Sequence, residues 1–280
     1  MKKKITFGSG LWVVIKYISL IFFSIVALLP LASCVITAFK SDEEYASTNV
    51  MQLPTKWQFS NFIDAFQTAN MGRAFLNSAI VLVFVLLGAI IIGTQLAYVL
   101  NRFKFPGNGL IRALFLFASL LPGVAMQVSV YNIMQSLGFI NHLYGYIIMM
   151  MGTDIISIYI FIQFMENIPG SLDESAIIDG ASYFTIYWQI ILPLLKPAIV
   201  TSLILKGVST YNEYYAASLY LQKSELKTVA LSLYTFTGPL GNKYNMICAG
   251  VIISLLPALI IFIACQKQIY SGITAGAVKG

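Results

Sequence analysis

The chain has 280 residues, of which 58% are hydrophobic and only 10% charged, with mean hydropathy +0.81. A soluble chain of this length would carry roughly a quarter charged residues, so the composition excludes an ordinary soluble domain. The formal net charge of +6 calls for no nucleic-acid partner, because anionic membrane headgroups account for a basic surface.

Apolar runs of about 20 residues, enough to cross a ~30 Å hydrocarbon core as helix, fall at roughly 18–39, 74–100, 110–131, 144–165, 197–220 and 246–265. The expected fold is all-α and polytopic, with six transmembrane helices. Residues 1–17 precede the first span, 18–280 form a single transmembrane domain, and 266–280 are a tail. Lys2, Lys3, Lys4 and Lys16 at the start, with Arg102, Lys104 and Arg112 after the second span, place those segments and both termini on the cytoplasmic side by the positive-inside rule. The opposite loops hold Lys40, Lys56, Arg73, Lys223, Lys227 and Lys243, so the bias rests on the dense short segments. Membrane lipid is the surrounding partner.

Along the chain, Leu31-Ala32-Ser33-Cys34 matches a lipoprotein-processing pattern. The long stretch separating it from the basic start and the five later spans favour an uncleaved first span. In the first external segment, Ser60 is placed to cap a short helix with Phe62, Ile63 and Phe66 on one face and Asn70 and Gly72 at its end. Its apolar side suits a membrane surface or an external partner. Ala89 and Gly93 are a small pair permitting close helix approach. Pro30, Pro122 and Pro257 each remove a donor within a span and permit a kink.

Three charges fall inside spans: Asp154, Lys206 and Glu213. Each costs a few kcal/mol near the bilayer centre unless paired or wetted. At about 1.5 Å rise per residue, Asp154 and Lys206 both lie roughly 14–15 Å from their span ends. They are expected to pair; the alternative is a role in a solute pathway. Glu213 sits among Tyr211, Asn212, Tyr214 and Tyr215. Amide, carboxylate and aromatic groups suit sugar hydroxyls and apolar sugar faces, but interfacial tyrosines are also ordinary. In the loop after that span, Leu226, Val229, Ala230 and Leu233 have helical spacing, ended by Gly238-Pro239 and Gly241-Asn242. Cys34, Cys248 and Cys265 show no metal-like spacing and read as apolar filler, and His142 is alone.

The longest later run that hydropathy leaves outside the bilayer is Ser171 to Pro197. Ser171 and Glu174 have capping-box spacing, Gly180 suits a helix C′ position, and Ser182 can cap a second helix that Pro193 stops. There is no G-x-x-x-x-G-K-[ST] phosphate loop and no nucleophile–base or metal-ligand set. The chain is therefore expected to bind no metal or cofactor of its own and to catalyse no reaction.

Glu174-Ser175-Ala176, Gly180, Ile190 and Leu192-Pro193 resemble the E-A-A-x3-G-x9-I-x-L-P loop of permeases of binding-protein-dependent ABC importers, with serine for the first alanine. Leu53-Pro54, Trp57 and Asn61-Phe62 resemble the first external loop of the carbohydrate-uptake branch. Tyr211-Asn212-Glu213-Tyr214 resembles its W-N-E-F segment, and Thr274 to Gly280 its tail. Over nearly the whole chain, the resemblance is to the second, MalG-like permease of maltose-type systems, and it implies a type I importer (MetI/MalG-like) bundle. It also implies a second homologous permease, two copies of an ABC ATPase holding ATP and Mg, and an extracytoplasmic sugar-binding protein. Residues 166–196 would be the cytoplasmic coupling loop, a helix seated in an ATPase groove. Leu172, Ala176 and Ile177 or Ile178 would be its packing residues, Ser175 and Ala176 would allow close approach, and Gly180 would set the angle. A permease for another solute, such as an alditol or glycerol phosphate, and a non-conducting ATPase-docking subunit are the rival readings.

Overall fold

The computed structural model describes residues 7–152, 154–238 and 242–277. Lys2 to Lys4, Pro239, Gly241 and the last three residues of the tail lie outside the described residues, as do the side chains of Cys265 and of 267–277. In chain order the helices are α1 (Phe7–Ala38), α2 (Asp42–Ser47), α3 (Ser60–Thr68), α4 (Met71–Arg102), α5 (Asn108–Leu120), α6 (Gly123–Ser136), α7 (Leu143–Met151) and α8 (Ile155–Met165). There follow α9 (Ser171–Ile178), α10 (Tyr183–Ile186), α11 (Leu192–Leu194), α12 (Lys196–Tyr211), α13 (Tyr215–Tyr220), α14 (Val229–Ser232) and α15 (Tyr244–Ala277). No β-strand occurs among the described residues.

By length and composition three helices can cross a membrane unbroken: Trp12–Ala38 in α1, α4, and Tyr244–Ala264 in α15. Three further spans are bent pairs, α5 with α6 at 107°, α7 with α8 at 40°, and Tyr183–Leu194 with α12 at 71°. Counting each pair once gives six. The run at 110–131, expected to be continuous, breaks because Leu121 precedes Pro122 and takes extended backbone (φ −75°, ψ 131°), as residues before proline do. Pro30 and Pro257, by contrast, lie within helices. The run at 197–220 divides at Asn212, and α15 continues through the first residues expected as tail.

Two compact units are present. In the first (1–70 with 233–256), α1 exposes apolar side chains all round from Trp12 to Val35, a surface only lipid or another apolar partner would cover. The turn after α1 is held by Asn61, whose Nδ2 donates to the carbonyls of Ala38 and Lys40, both at 2.9 Å. Lys40 is fully buried (0% exposed) and donates to Thr48 Oγ1 at 2.9 Å and the Asn49 carbonyl at 2.7 Å. Phe39 packs among Trp57, Phe59 and Phe62. Thus Asn61 and Trp57, singled out in the sequence, secure this loop. Ser60 does not cap α3: it is the first helical residue, and no side chain caps that end. Asn70 (φ +46°) ends the segment, while Gly72 lies inside α4 rather than at a stop. Cys34 donates weakly to the Cys248 carbonyl at 3.8 Å, so two of the cysteines meet.

The second unit (71–232 with 257–280) has α4 as its axis. Around its early turns, Val81 and Val85 pack with Met134, Tyr146, Ala217, Tyr220 and Leu231. Around its last turns, Ala97, Tyr98 and Leu100 pack with Ile158, Phe161, Met165, Ala176, Ile186, Tyr187, Ile191 and Leu195. Near the start of α4, Asn77 Nδ2 donates to the carbonyls of Glu225 and Lys227 at 2.9 and 3.0 Å, and Ser78 Oγ accepts from Val229 N–H at 2.9 Å. These bonds hold a segment expected to be one helix as short separate turns.

Gly145 permits the closest approach in this unit. A Cβ there would lie 2.6 Å from both Cβ and the carbonyl oxygen of Phe139, whereas at Gly207 the nearest atom is Leu86 Cδ1 at 3.8 Å. Gly145→Ala should therefore cost about 1–3 kcal/mol through forced backbone displacement. Gly207→Ala should be neutral or slightly stabilising, helix propensity favouring alanine. Melting temperatures of the two purified variants check this, and equal values would contradict it.

Candidate functional site

The structured stretch after α8 is built on a glycine. In α9, Ala181 N–H donates to the Ala176 carbonyl at 2.9 Å and Gly180 N–H to the Ile177 carbonyl at 3.0 Å, the paired bonds of a Schellman ending. Gly180 sits at φ +84°, where a side chain would be strained. Ser182 then caps α10, its Oγ accepting from Thr185 N–H at 3.2 Å. Both features match the sequence reading.

The other end of α9 differs. Ser171 is the first helical residue, Gly170 holds the cap position, and no side chain caps it, so the Ser171–Glu174 capping box is absent. Ser171 instead accepts at its carbonyl from Ser175 Oγ at 2.8 Å. Nor does Pro193 stop the second helix. The chain widens into a π-turn over Tyr187–Ile191, with Leu192 N–H reaching the Tyr187 carbonyl. The wider turn relieves the clash that a proline ring makes with the carbonyl four residues back. The change of direction comes at buried Leu195, ahead of Pro197 at the start of α12.

Of the predicted coupling residues, Leu172, Glu174, Ser175, Ile178, Gly180 and Pro193 are exposed, Ile178 at 86%. Ile177, Tyr183 and Phe184 extend the exposed apolar surface. Ile190 and Leu192 turn towards the core around Ala97–Leu100. Ala176 is a correction: expected to pack into a partner, it is buried in that same core because it shares the inward side of α9 with Asp173.

Asp173 is the residue whose role the sequence reading missed. Its Oδ2 lies 2.9 Å from Arg102 Nε at the end of α4, with the two side chains only 12% and 14% exposed. The guanidinium N–H is not aligned on the carboxylate, and Asp173 Oδ1 has no hydrogen-bond partner, so charge attraction rather than a directed bond joins them. Arg102 Nη2 also donates to the Ile168 carbonyl at 2.9 Å. Alongside, the hydroxyls of Tyr187 and Thr94 are 2.7 Å apart, and Phe103 packs edge-on against Tyr98 and Tyr183. Arg112 secures the neighbouring turn, donating to the Leu100 carbonyl at 2.6 Å. The only sequence signal was an acidic residue on the loop and an arginine ending a span.

The intramembrane residues are arranged differently from expectation. Asp154 and Lys206 form no ion pair within 4.0 Å. Asp154 lies between α7 and α8 in non-helical backbone (φ −92°, ψ 74°), so its carboxylate turns to Ser157 Oγ. Asn212 and Glu213 mark the break between α12 and α13: Asn212 Nδ2 donates to the Val208 carbonyl at 3.0 Å, and Glu213 Oε1 accepts from Ala216 N–H at 2.9 Å. Tyr211 and Tyr214 are half-buried beside them. No group of three or more metal-ligating side chains is found among the described residues.

Long and broken apolar helices, three of them bent pairs, are the build of a multi-pass membrane protein. The chain belongs to the family described as binding-protein-dependent transport system inner membrane component, which it matches over residues 89–269. It is 32% identical to the "Probable starch degradation products transport system permease protein AmyC" of Thermoanaerobacterium thermosulfurigenes, over 89% of this chain and 91% of that one. It is 30% identical to the "Melibiose/raffinose/stachyose import permease protein MelC" of Bacillus subtilis (strain 168), over 90% and 91%. The fold is that of a solved bacterial ABC transporter involved in the import of the acidic polysaccharide alginate, with TM-score 0.80, 20% identity, and coverage of 94% and 98%. The chain is thus an ABC importer permease of the inner membrane, a transport subunit and not itself an enzyme.

Arg102→Ala should leave the Asp173 carboxylate uncompensated and cost about 3 kcal/mol of local stability, read as faster amide exchange across Ser171–Ile178. Exchange equal to that of the parent protein would show that packing of Ala176 alone holds the helix.

Proposed function

We propose that this chain forms half of the translocation pathway of an ATP-driven sugar importer, with oligosaccharides as substrates, and that residues 166–196 couple it to the ATPase. The observation that carries this is the anchoring of α9: Asp173 and Ala176 hold one side in the core, while Leu172, Ile177 and Ile178 stand exposed around the rest of the helix. A short helix held on one side and exposing apolar side chains on the others suits docking into a partner's groove. The relatives named for starch degradation products and for melibiose, raffinose and stachyose favour saccharides over an alditol or glycerol phosphate.

On this reading the partners are a second homologous permease, two copies of an ABC ATPase that hold ATP and Mg, and an extracytoplasmic sugar-binding protein. The clustered Lys16, Arg102, Lys104 and Arg112 support cytoplasmic termini and a cytoplasmic α9–α10. ATP binding would favour one access state and hydrolysis release it. Asn212 and Glu213, at a helix break flanked by Tyr211 and Tyr214, would lie along the solute's path.

Ile178→Glu changes an exposed position and should alter fold stability by no more than about 0.5 kcal/mol. It should nonetheless abolish copurification of the ATPase and sugar-stimulated ATP hydrolysis, with permease levels in the membrane unchanged. Gly180→Asn, which tolerates positive φ, should retain coupling, and Gly180→Val should lose it. Full uptake in both Ile178→Glu and Gly180→Val would sink the coupling assignment.

A further inference from the structure

Lys206 stands half-buried on α12 with an ammonium that donates to no described residue and has no carboxylate within 4.0 Å. The carboxylates whose charge reaches it are Asp154 and Glu213. Below it, Ser202 Oγ is 2.5 Å from Ser157 Oγ, which also donates to Asp154. If α8 and α12 run in opposite directions, as the six-span order requires, Asp154 and Lys206 rise about 4.5 and about 6 Å on the same side of this serine contact. The two charges then stand on the same side of the hydrogen-bonded serines, too far apart for an ion pair.

An unpaired ammonium this far inside a span is stable only against water or a polar partner. The adjoining break between α7 and α8 is likewise tolerated at membrane depth where backbone lines a cavity or is buried in protein. We infer that Asp154, Lys206, Ser157 and Ser202 form a hydroxyl-binding step on the aqueous pathway, with Asp154 accepting from and Lys206 donating to a passing neutral saccharide ring. This rests on the sugar-importer reading. A saccharide hydroxyl is both donor and acceptor, so adjacent hydroxyls can bridge the two groups. Two carboxylates around one ammonium leave a net negative field, which selects against carboxylated sugars.

The test uses the full importer, with its ATPase and binding protein, in proteoliposomes. In a background with Cys34, Cys248 and Cys265 replaced by alanine, Lys206→Cys should react with a membrane-impermeant methanethiosulfonate in one nucleotide state and be shielded in the other. No reaction in either state would place the residue against lipid or the second permease and overturn the inference. Lys206→Met and Asp154→Asn should each lower uptake of a neutral oligosaccharide about 10- to 100-fold, the loss of one charge-assisted hydrogen bond. ATP hydrolysis stimulated by the loaded binding protein should persist. Recovery of uptake in the double variant would show mutual neutralisation only and would also overturn it. If the parent carries no saccharide in a panel of neutral and uronic sugars, the sugar reading itself fails, while thiol reactivity still decides whether Lys206 meets the pathway.

Discussion

The end of α4 and the inner side of α9 are held together by one charged contact set in an apolar surround. Arg102 reaches Asp173 and the Ile168 carbonyl at once, and Ala176 is buried in the core on the same side of α9. Placing a carboxylate and a guanidinium in this position is costly unless each finds the other. The pair therefore specifies a single seat for α9 instead of merely adding attraction. The Tyr187–Thr94 hydroxyl contact fixes the following segment to the same helix. On the proposed reading, a loop seated in this way would pass a docked partner's displacement on to α4.

The bent spans express a second constraint. Inside a bilayer every backbone group needs a partner, so a helix can break only where protein or water meets the freed groups. Two of the breaks have a local cause. At Leu121 it is a proline; at Asn212 and Glu213, side chains satisfy the loose ends. Before Pro193 the π-turn accommodates the imino ring without ending the helix. The spans that remain unbroken despite Pro30 and Pro257 show that proline alone does not end a helix.

What was legible in the sequence follows from the range of the forces involved. Gly180 and Ser182 could be read because positive φ and N-capping are local demands, settled within a few residues. The six apolar runs could be read because hydrocarbon thickness sets their length. Ser171 was misread as a cap because serine also fits the first helical turn, and only the approach of Pro169-Gly170 decides where the helix begins. Arg102 with Asp173, and Asn77 with the carbonyls near Glu225, were illegible because tertiary packing alone brings such distant residues together. For Asp154 and Lys206, helical rise implied a shared depth, but the bonding of Asp154 depended on Ser157 and on the break beside it.

The proposed docking segment and the serine contact beside Lys206 are linked through one run of chain. Ser182 starts α10, the π-turn and α11 continue it, and Leu195, fully buried, bends it by 71° into α12. Two turns further on, Ser202 is bonded to Ser157 of α8, with Lys206 one turn beyond. The π-turn interrupts the regular helical bonding of this run, and Leu195 is buried in the core where the direction changes. Tilting α10 about that point would shift Ser202 relative to Ser157 and alter the spacing of Asp154 and Lys206. On the proposed reading, ATPase movement at α9–α10 and solute access at Lys206 are therefore two ends of one lever, and its stiffness depends on the side chains that hold Tyr187 and Leu195 in the core.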